Sequence, residues 1–162
     1  MTEPASLPLI VGFLRRIGLV VDERTLAGPT FLPGIRVERG GLVFDPYRLA
    51  HPGDLLHEAG HLAVVPPGQR AAMDGAIDAD PGEEMASIAW SWAAAQDLGL
   101  APEALFHADG YKGGSDALIE NFRQRRYIGV PLLEWRGMTD WQQPSAQHSA
   151  TRYPAMKRWL CP

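Results

Sequence analysis

The chain is poor in cysteine. Cys161 is the only one among 162 residues, so no internal disulfide can form. This fits a reducing compartment and predicts a cytoplasmic location. Because Cys161 is the second-last residue, we expect it in a frayed tail, and we expect no catalytic thiol there.

The chain also lacks an excess of positive charge. It carries 15 basic and 19 acidic residues, for a net charge of −4. This balance predicts that nucleic acid is not a partner. A hydrophobic content of 46% is ordinary for a globular protein, and the length predicts one domain over residues 1–162.

A long uninterrupted apolar run is missing as well. Residues 7–21 are apolar, but Arg15 and Arg16 interrupt them and the stretch is too short to span a bilayer. The sequence therefore predicts no membrane segment. Apolar residues recur instead at helical spacing, which predicts an amphipathic helix that ends at Gly18: Leu7, Ile10, Val11, Leu14 and Ile17.

What the chain does contain is H-E-x-x-H, at His57, Glu58 and His61. Residues four apart share one face of a helix, so both imidazoles can bind the same metal ion. Glu58 can then reach a water molecule on that metal and act as a general base. The motif predicts a zinc hydrolase, and specifically a peptidase.

The residues around the motif predict a short, buried helix. Pro52 suits a first helical turn, Asp54 favours the positive end of the helix dipole, and Pro66-Pro67-Gly68 ends the helix. Apolar residues flank the motif on both sides. The alternative is a pair of core histidines that hydrogen-bond to the backbone.

The third ligand is not a nearby histidine. Val64 and Pro67 occupy the positions where the H-E-x-x-H-x-x-G-x-x-H pattern has glycine and histidine. Glu83 and Glu84 remain as candidates for a two-histidine, one-glutamate site. Asp80 predicts a helix start that would use Glu83 in a capping box, so Glu84 is the favoured ligand. Alternatively, both acids are solvated residues of a first helical turn.

These residues resemble the gluzincin branch of the zincin metallopeptidases, and most closely its small bacterial members. The resemblance covers residues 57–61 and, more loosely, the helix from Glu83. It implies that His57, His61 and Glu84 (or Glu83) bind zinc and that Glu58 polarises the attacking water. Larger gluzincins often carry an acid shortly after the ligand glutamate, where this chain has Ser87 and Ile88.

The expected fold is α+β: a compact, minimal zincin-like domain, mainly helical, with a small sheet beside the active-site helix. Residues 35–38 and 42–45 predict a hairpin around Gly40-Gly41. One of its strands could pair with extended substrate, or the hairpin could be purely structural. A largely apolar helix is predicted over residues 80–98, with Ser87 and Ser91 near the site.

The glycine-rich stretch at residues 106–114 could lie over the cleft. Tyr111 or His107 could then stabilise the oxyanion formed when water attacks a carbonyl. The alternative is an ordinary surface loop. Beyond it, Ser115 is expected to cap a helix that runs to Arg126, and residues 127–138 are expected to pack irregularly. The tail from residue 140 could wrap the domain or a partner.

Two functions follow from these predictions. The first is a zinc metallopeptidase acting on a peptide or protein substrate, with Glu58 as base and Tyr111 as a second catalytic candidate. The second is a zinc-binding regulatory module on the same scaffold that cuts one partner or none. A purely structural domain without metal is a third reading of the motif.

Overall fold

The computed structural model describes the backbone of residues 3–162 and the side chains from residue 6 onward. Met1 and Thr2, which the expected domain includes, lie outside the described residues. The described chain forms seven α-helices and three short strands, so the predicted α+β class is confirmed. The helices are α1 (Glu3–Arg16), α2 (Gly53–Ala63), α3 (Pro67–Ala71), α4 (Pro81–Asp97), α5 (Pro102–Leu105), α6 (Ser115–Arg123) and α7 (Val130–Trp135).

The strands form one mixed sheet. They are β1 (Val21–Glu23), β2 (Ile35–Glu38) and β3 (Gly41–Phe44), in the spatial order β1-β3-β2. The predicted hairpin is confirmed: β2 runs antiparallel to β3, and Arg39 and Gly40 both have positive φ, as a tight hairpin turn requires. β1 pairs parallel with β3 and was not predicted.

The first helix is amphipathic, as its spacing predicts. Ile10 and Leu14 are fully buried, and the helix ends at Arg16, two residues before Gly18 with its φ of 105°. The Arg15 side chain then donates to the backbone carbonyl of Val21. This contact ties the end of α1 to β1.

The centre of the molecule is the crossing of α2 and α4. Gly60 makes this crossing close, because a Cβ atom there would lie 2.8 Å from the backbone oxygen of Ser87. Asp80 caps α4 by accepting from the backbone N–H of Glu83, which confirms the predicted helix start. Trp90 of α4 is fully buried.

The region after residue 105 differs from the prediction in two places. Ser115 does not cap α6: its hydroxyl donates to the carbonyl of His107, and α6 ends at Arg123 rather than Arg126. Residues 127–138 are not wholly irregular, because they contain α7. Gly129, with a φ of 76°, is the residue before this helix, and it packs on the backbone of Met85 too closely for a side chain.

The C-terminal tail is not frayed. The Cys161 side chain is buried, and its backbone N–H donates to the carbonyl of Ala63 at the end of α2. Arg70 donates to the carbonyls of Leu62 and Cys161 and so joins the tail to α2. The expectation of a frayed tail was wrong, because these contacts join residues about a hundred positions apart.

Among the described residues, no helix has both the length and the apolar character that crossing a membrane would require.

Candidate metal centre

The two histidines of the motif point to one spot beside α2. Their rings are nearly perpendicular, at 88°, and their Nε2 atoms lie 3.3 Å apart. Helical spacing places the side chains on one face, and the buried setting of α2 limits their rotamers. His61 is buried, whereas the His57 side chain keeps 15% of its surface exposed.

Glu84 completes the group from α4. Its Oε2 lies 3.0 Å from Nε2 of His61, and its Oε1 lies 3.6 Å from Nε2 of His57. A tetrahedral zinc site with bonds of about 2.0–2.1 Å has its ligand atoms about 3.3–3.4 Å apart. The three separations bracket that value, with one oxygen of the Glu84 carboxylate near each histidine, so the three side chains converge where a zinc ion could bind.

Glu83 points elsewhere. Its Oε1 accepts from the Arg136 guanidinium at 3.1 Å, and this pair is largely buried. The predicted return arm of a capping box is replaced by this ion pair, although Asp80 does accept from the Glu83 backbone N–H at 2.8 Å. The structure therefore places Glu84, and not Glu83, beside the two histidines.

Ser87 holds His61 in the orientation that metal binding needs. Its hydroxyl lies 3.2 Å from Nδ1 of His61 and donates its single proton to the carbonyl of Glu83 at 2.9 Å. The hydroxyl must therefore accept from the Nδ1–H of His61, so Nε2 is the ring nitrogen that faces Glu84 and would bind a metal. Ser91, the other serine predicted near the site, bonds instead to the carbonyl of Ile88.

Tyr111 takes the corresponding place beside His57. Its hydroxyl lies 3.3 Å from Nδ1 of that histidine, and the two rings meet edge to face at 5.2 Å. This contact orients the imidazole from behind, on the side away from Nε2. Tyr111 also borders the cleft, so its role towards an oxyanion stays a prediction.

A buried acid–histidine pair fixes the loop that carries Tyr111. Nε2 of His107 lies 2.6 Å from Oδ1 of Asp54 in the first turn of α2. Ser115 donates to the carbonyl of His107 and closes the other end of the loop. Tyr111 and Lys112 both have a φ of 54°, so the loop is held in a strained conformation. His107, which pairs with Asp54, is not among the residues that line the cleft, so the structure does not place it where an oxyanion would form.

The pKa shifts at the site favour a neutral His57 and an ionised Glu84, which are the forms that bind a metal. Burial, followed by the neighbouring His61, lowers the pKa of His57 to about 4, which leaves its imidazole neutral near pH 7. Burial raises the pKa of Glu58 to about 7, with Asp54 and Glu84 acting in the same direction and His61 against them. The hydrogen bond with His61 lowers the pKa of Glu84, which keeps that carboxylate ionised.

The donors open onto a cleft of about 990 Å³. Glu58 reaches this cleft, and a carboxylate oxygen of Glu58 lies within 4.8 Å of a ring nitrogen of each histidine. Residues 29–32, residues 35–37 of β2 and three residues of α6 are among those that line the cleft. The Glu84 side chain is 42% exposed, so the ligand group has an open side towards solvent.

A second histidine group lies beside the first. His51, His107 and Asp109 have possible ligand atoms within 4.8 Å of one another. The two imidazole rings, however, stack in parallel with centroids 3.6 Å apart and an angle of 11°. Ring lone pairs lie in the ring plane, so two stacked rings cannot both aim at one ion. This group is better explained as a structural support for the loop that carries Tyr111.

Sequence reasoning brought together His57, His61 and Glu84, which the structure places side by side, but missed the residues that support them. Asp54 was assigned to the helix dipole alone, and no short-range pattern connects it to His107, 53 residues away.

The chain matches no protein-family model, and comparison with the curated proteins and with the solved structures gives no significant match.

Proposed function

We propose that this protein is a zinc-dependent hydrolase that cleaves peptide bonds, with His57, His61 and Glu84 as metal ligands. The observation that carries the proposal is the convergence of the two Nε2 atoms and the Glu84 carboxylate, with separations of 3.0–3.6 Å. Three protein donors with an open side are typical of catalytic zinc sites, whereas structural sites use four. The donor set is similar to that of the gluzincins, and we propose a relationship to that branch.

Each residue of the site has a distinct task in this proposal. A zinc ion, when bound, supplies the Lewis acidity that makes water nucleophilic near neutral pH and polarises a carbonyl. Glu58 accepts a proton from the attacking water and returns it to the leaving amine. Ser87 and Tyr111 keep the two imidazoles aligned.

The shape of the cleft supports an extended substrate. Its volume of about 990 Å³ lies at the upper end of the range for ligand sites, and β2 is an edge strand along one wall. Part of that edge is already covered, because Gly75 donates to the carbonyl of Val37. A peptide or protein segment fits this open groove better than a small enclosed substrate does.

The test is peptide hydrolysis by the purified protein, measured on a peptide library with chelator and after zinc is restored. We expect hydrolysis that chelator abolishes and zinc restores. Glu58→Gln should bind zinc like the wild type and lose hydrolysis by at least about 100-fold, because general acid–base catalysis contributes that much. Full activity of this variant would contradict the assigned role.

The same experiment separates the peptidase from the regulatory module. Stoichiometric zinc binding without turnover of any peptide would favour a zinc-binding module on this scaffold. A chain that binds no zinc would refute both.

The single cysteine fits a reducing compartment, and we propose a cytoplasmic location, which fractionation of cells expressing the native gene would test.

A further inference from the structure

A second pocket lies at the other end of α4. It has a volume of about 740 Å³, within the range of small-molecule sites. Trp92 and Gln96 of α4 line it, whereas Glu84 and Ile88 of the same helix line the metal-centre cleft. At 1.5 Å per residue, Glu84 and Gln96 are about 18 Å apart along the helix axis.

The interior of this pocket is aromatic. Trp92 and Phe122 meet with ring centroids 5.1 Å apart, and Phe122 meets Tyr127 at 5.6 Å. Tyr127 in turn contacts Tyr153 at 4.6 Å and Trp141 at 5.2 Å. The five rings form one continuous series, and all of them line the pocket. Trp92, Phe122 and Tyr153 are almost fully buried, so the half-buried Tyr127 and Trp141 offer the ring surface that a planar guest could contact.

The rim of the pocket is positively charged. Arg123, Arg125 and Arg152 line it, and no aspartate or glutamate does. Arg123 pairs with Glu103, an exposed contact of 3.1 Å. Within residues 6–162, the guanidiniums of Arg125 and Arg152 have no hydrogen bond or ion pair to protein. An excess of cationic side chains without counter-charges favours an anion as the occupant.

Arg125 and Arg152 both lie close to the Tyr127 hydroxyl. The Arg152 guanidinium lies over the Trp141 ring at 4.9 Å, which holds it at the rim without a carboxylate. Burial raises the pKa of Tyr127, while the charges of Arg125 and Arg152 act in the opposite direction, so both guanidiniums lie near that phenol. In the described part of the chain, the Tyr127 hydroxyl has no hydrogen-bond partner.

Asp140, next to Trp141 in the chain, already has other partners. Asp140 accepts from Ser149, Thr151 and Lys157, at 2.6–2.7 Å in each case. Its carboxylate is therefore saturated by the segment that carries Trp141 and Arg152. The cationic rim is left to a ligand from solution.

We propose that this pocket binds an aromatic acid, a planar ring that carries a carboxylate or phosphate group. The ring lies against Tyr127 and Trp141, and the anionic group takes charge-assisted hydrogen bonds from Arg125 and Arg152 and a hydrogen bond from Tyr127. The same chemistry is offered by a free aryl acid and by the C-terminal aromatic residue of a peptide. The inference does not depend on the proposed hydrolase activity.

Isothermal titration calorimetry with three simple probes tests the proposal. Phenyl phosphate supplies both the ring and the anion, phenol supplies the ring alone, and inorganic phosphate supplies the anion alone. We expect phenyl phosphate to bind at least about tenfold more tightly than either of the others, since a charge-assisted hydrogen bond contributes about that factor. Equal binding of phenol, or no saturable binding of phenyl phosphate, would overturn the proposal.

Matched variants assign the binding to this pocket. Arg125→Gln and Arg152→Gln should each weaken phenyl phosphate about tenfold. Arg126→Gln is the control, because that neighbouring arginine bonds to Asn121 and Gln124 and does not line the pocket. His61→Ala should bind phenyl phosphate like the wild type, which excludes the metal centre as the binding site. An equal loss in the Arg126 variant, or a loss in the His61 variant, would contradict the assignment.

A fourth titration distinguishes the two sources of the ligand. A short peptide ending in tryptophan with a free carboxylate is compared with its C-terminal amide. Tighter binding of the free acid than of phenyl phosphate identifies a chain end as the better occupant, and weaker binding identifies a free aryl acid. Both results support the shared chemistry, whereas equal binding of acid and amide speaks against a role for the rim arginines.

Discussion

The two ends of α4 gather opposite kinds of side chain. At its N-terminal end, Glu84 meets two imidazoles, and the buried Glu58 lies beside the same imidazoles. Its C-terminal end lies in a pocket with three arginines and no acid. Each end therefore has an excess of groups that one kind of partner would satisfy, a cation at the first and an anion at the second. One apolar helix thus separates two sites whose chemistry does not overlap.

The difference extends to how each end is built. The metal-centre donors come from two helices that cross at Gly60, and each imidazole has a partner on its second nitrogen. The second pocket, hereafter the arginine pocket, is assembled from four segments. Among the described residues, its Arg125 and Arg152 guanidiniums and its Tyr127 hydroxyl have no hydrogen-bond partner. Preorganised donors are typical of a metal centre, whereas unsatisfied rim groups are typical of a site for a soluble ligand.

The largest effect should come from the pair Glu84→Gln and Glu83→Gln. We expect Glu84→Gln to weaken zinc binding by about 100-fold or more, because loss of a partner of a ligand alone costs 10–100-fold. Glu83→Gln should bind zinc normally and lose stability, because Arg136 is left unpaired. Competition with a chromophoric chelator measures both affinities. If the two variants exchanged these behaviours, Glu83 would be the ligand.

Gly60→Ala tests the helix crossing that assembles the metal-centre end. The added Cβ would lie 2.8 Å from the Ser87 backbone oxygen, so the free energy of unfolding should fall by about 1–3 kcal/mol. Zinc affinity should fall with it, because Ser87 and Glu84 both sit on the displaced helix. Urea unfolding measures the first effect. Gly68→Ala is the control, since its Cβ would meet no atom within 4 Å; equal costs for the two would refute the close crossing.

Ser87→Ala and Ser91→Ala form a third pair on the same buried face. Ser87→Ala removes the acceptor for the His61 Nδ1–H and should weaken zinc binding about tenfold. Ser91→Ala removes only a bond to the Ile88 carbonyl, so zinc affinity should not change. The chelator competition assay decides between them. Unchanged affinity in the Ser87 variant would show that its hydroxyl does not orient the ligand.

The smallest effect should come from Asp140→Asn, next to Trp141 of the arginine pocket. Hydrogen bonds from Lys157, Thr151 and Ser149 lower the pKa of Asp140 to about 2. A lowered pKa means that the carboxylate stabilises the fold above its unfolded value of about 3.9, and that this contribution is lost as pH falls towards 2. Asp140→Asn should therefore lower the urea midpoint at pH 7, and the difference should shrink between pH 4 and pH 2. A difference that does not vary with pH would contradict this origin.

The metal-centre end was predictable because its signals are local. The spacing from His57 to His61, the cap at Asp80 and the proline and glycine residues after α2 are each read within a few residues. The Asp80 argument also separated Glu84 from Glu83, as the geometry now does. The amphipathic α1 and the hairpin were found for the same reason.

The arginine pocket was not predictable because its contacts are distant in sequence. Trp92 and Arg152 are 60 positions apart, and neither belongs to a motif. Strand β1 was missed since three residues are too few to show an alternating pattern. The burial of Cys161 depends on Arg70 and Ala63, which no pattern near the C-terminus indicates.

Metal content is the most direct test of the proposed centre. Elemental analysis of protein purified without an affinity tag or chelator should find about one zinc per chain in the wild type. His57→Ala and His61→Ala should lose that zinc, whereas the exposed His148→Ala should retain it. A wild-type protein without bound metal, or equal zinc in all four proteins, would contradict the metal centre.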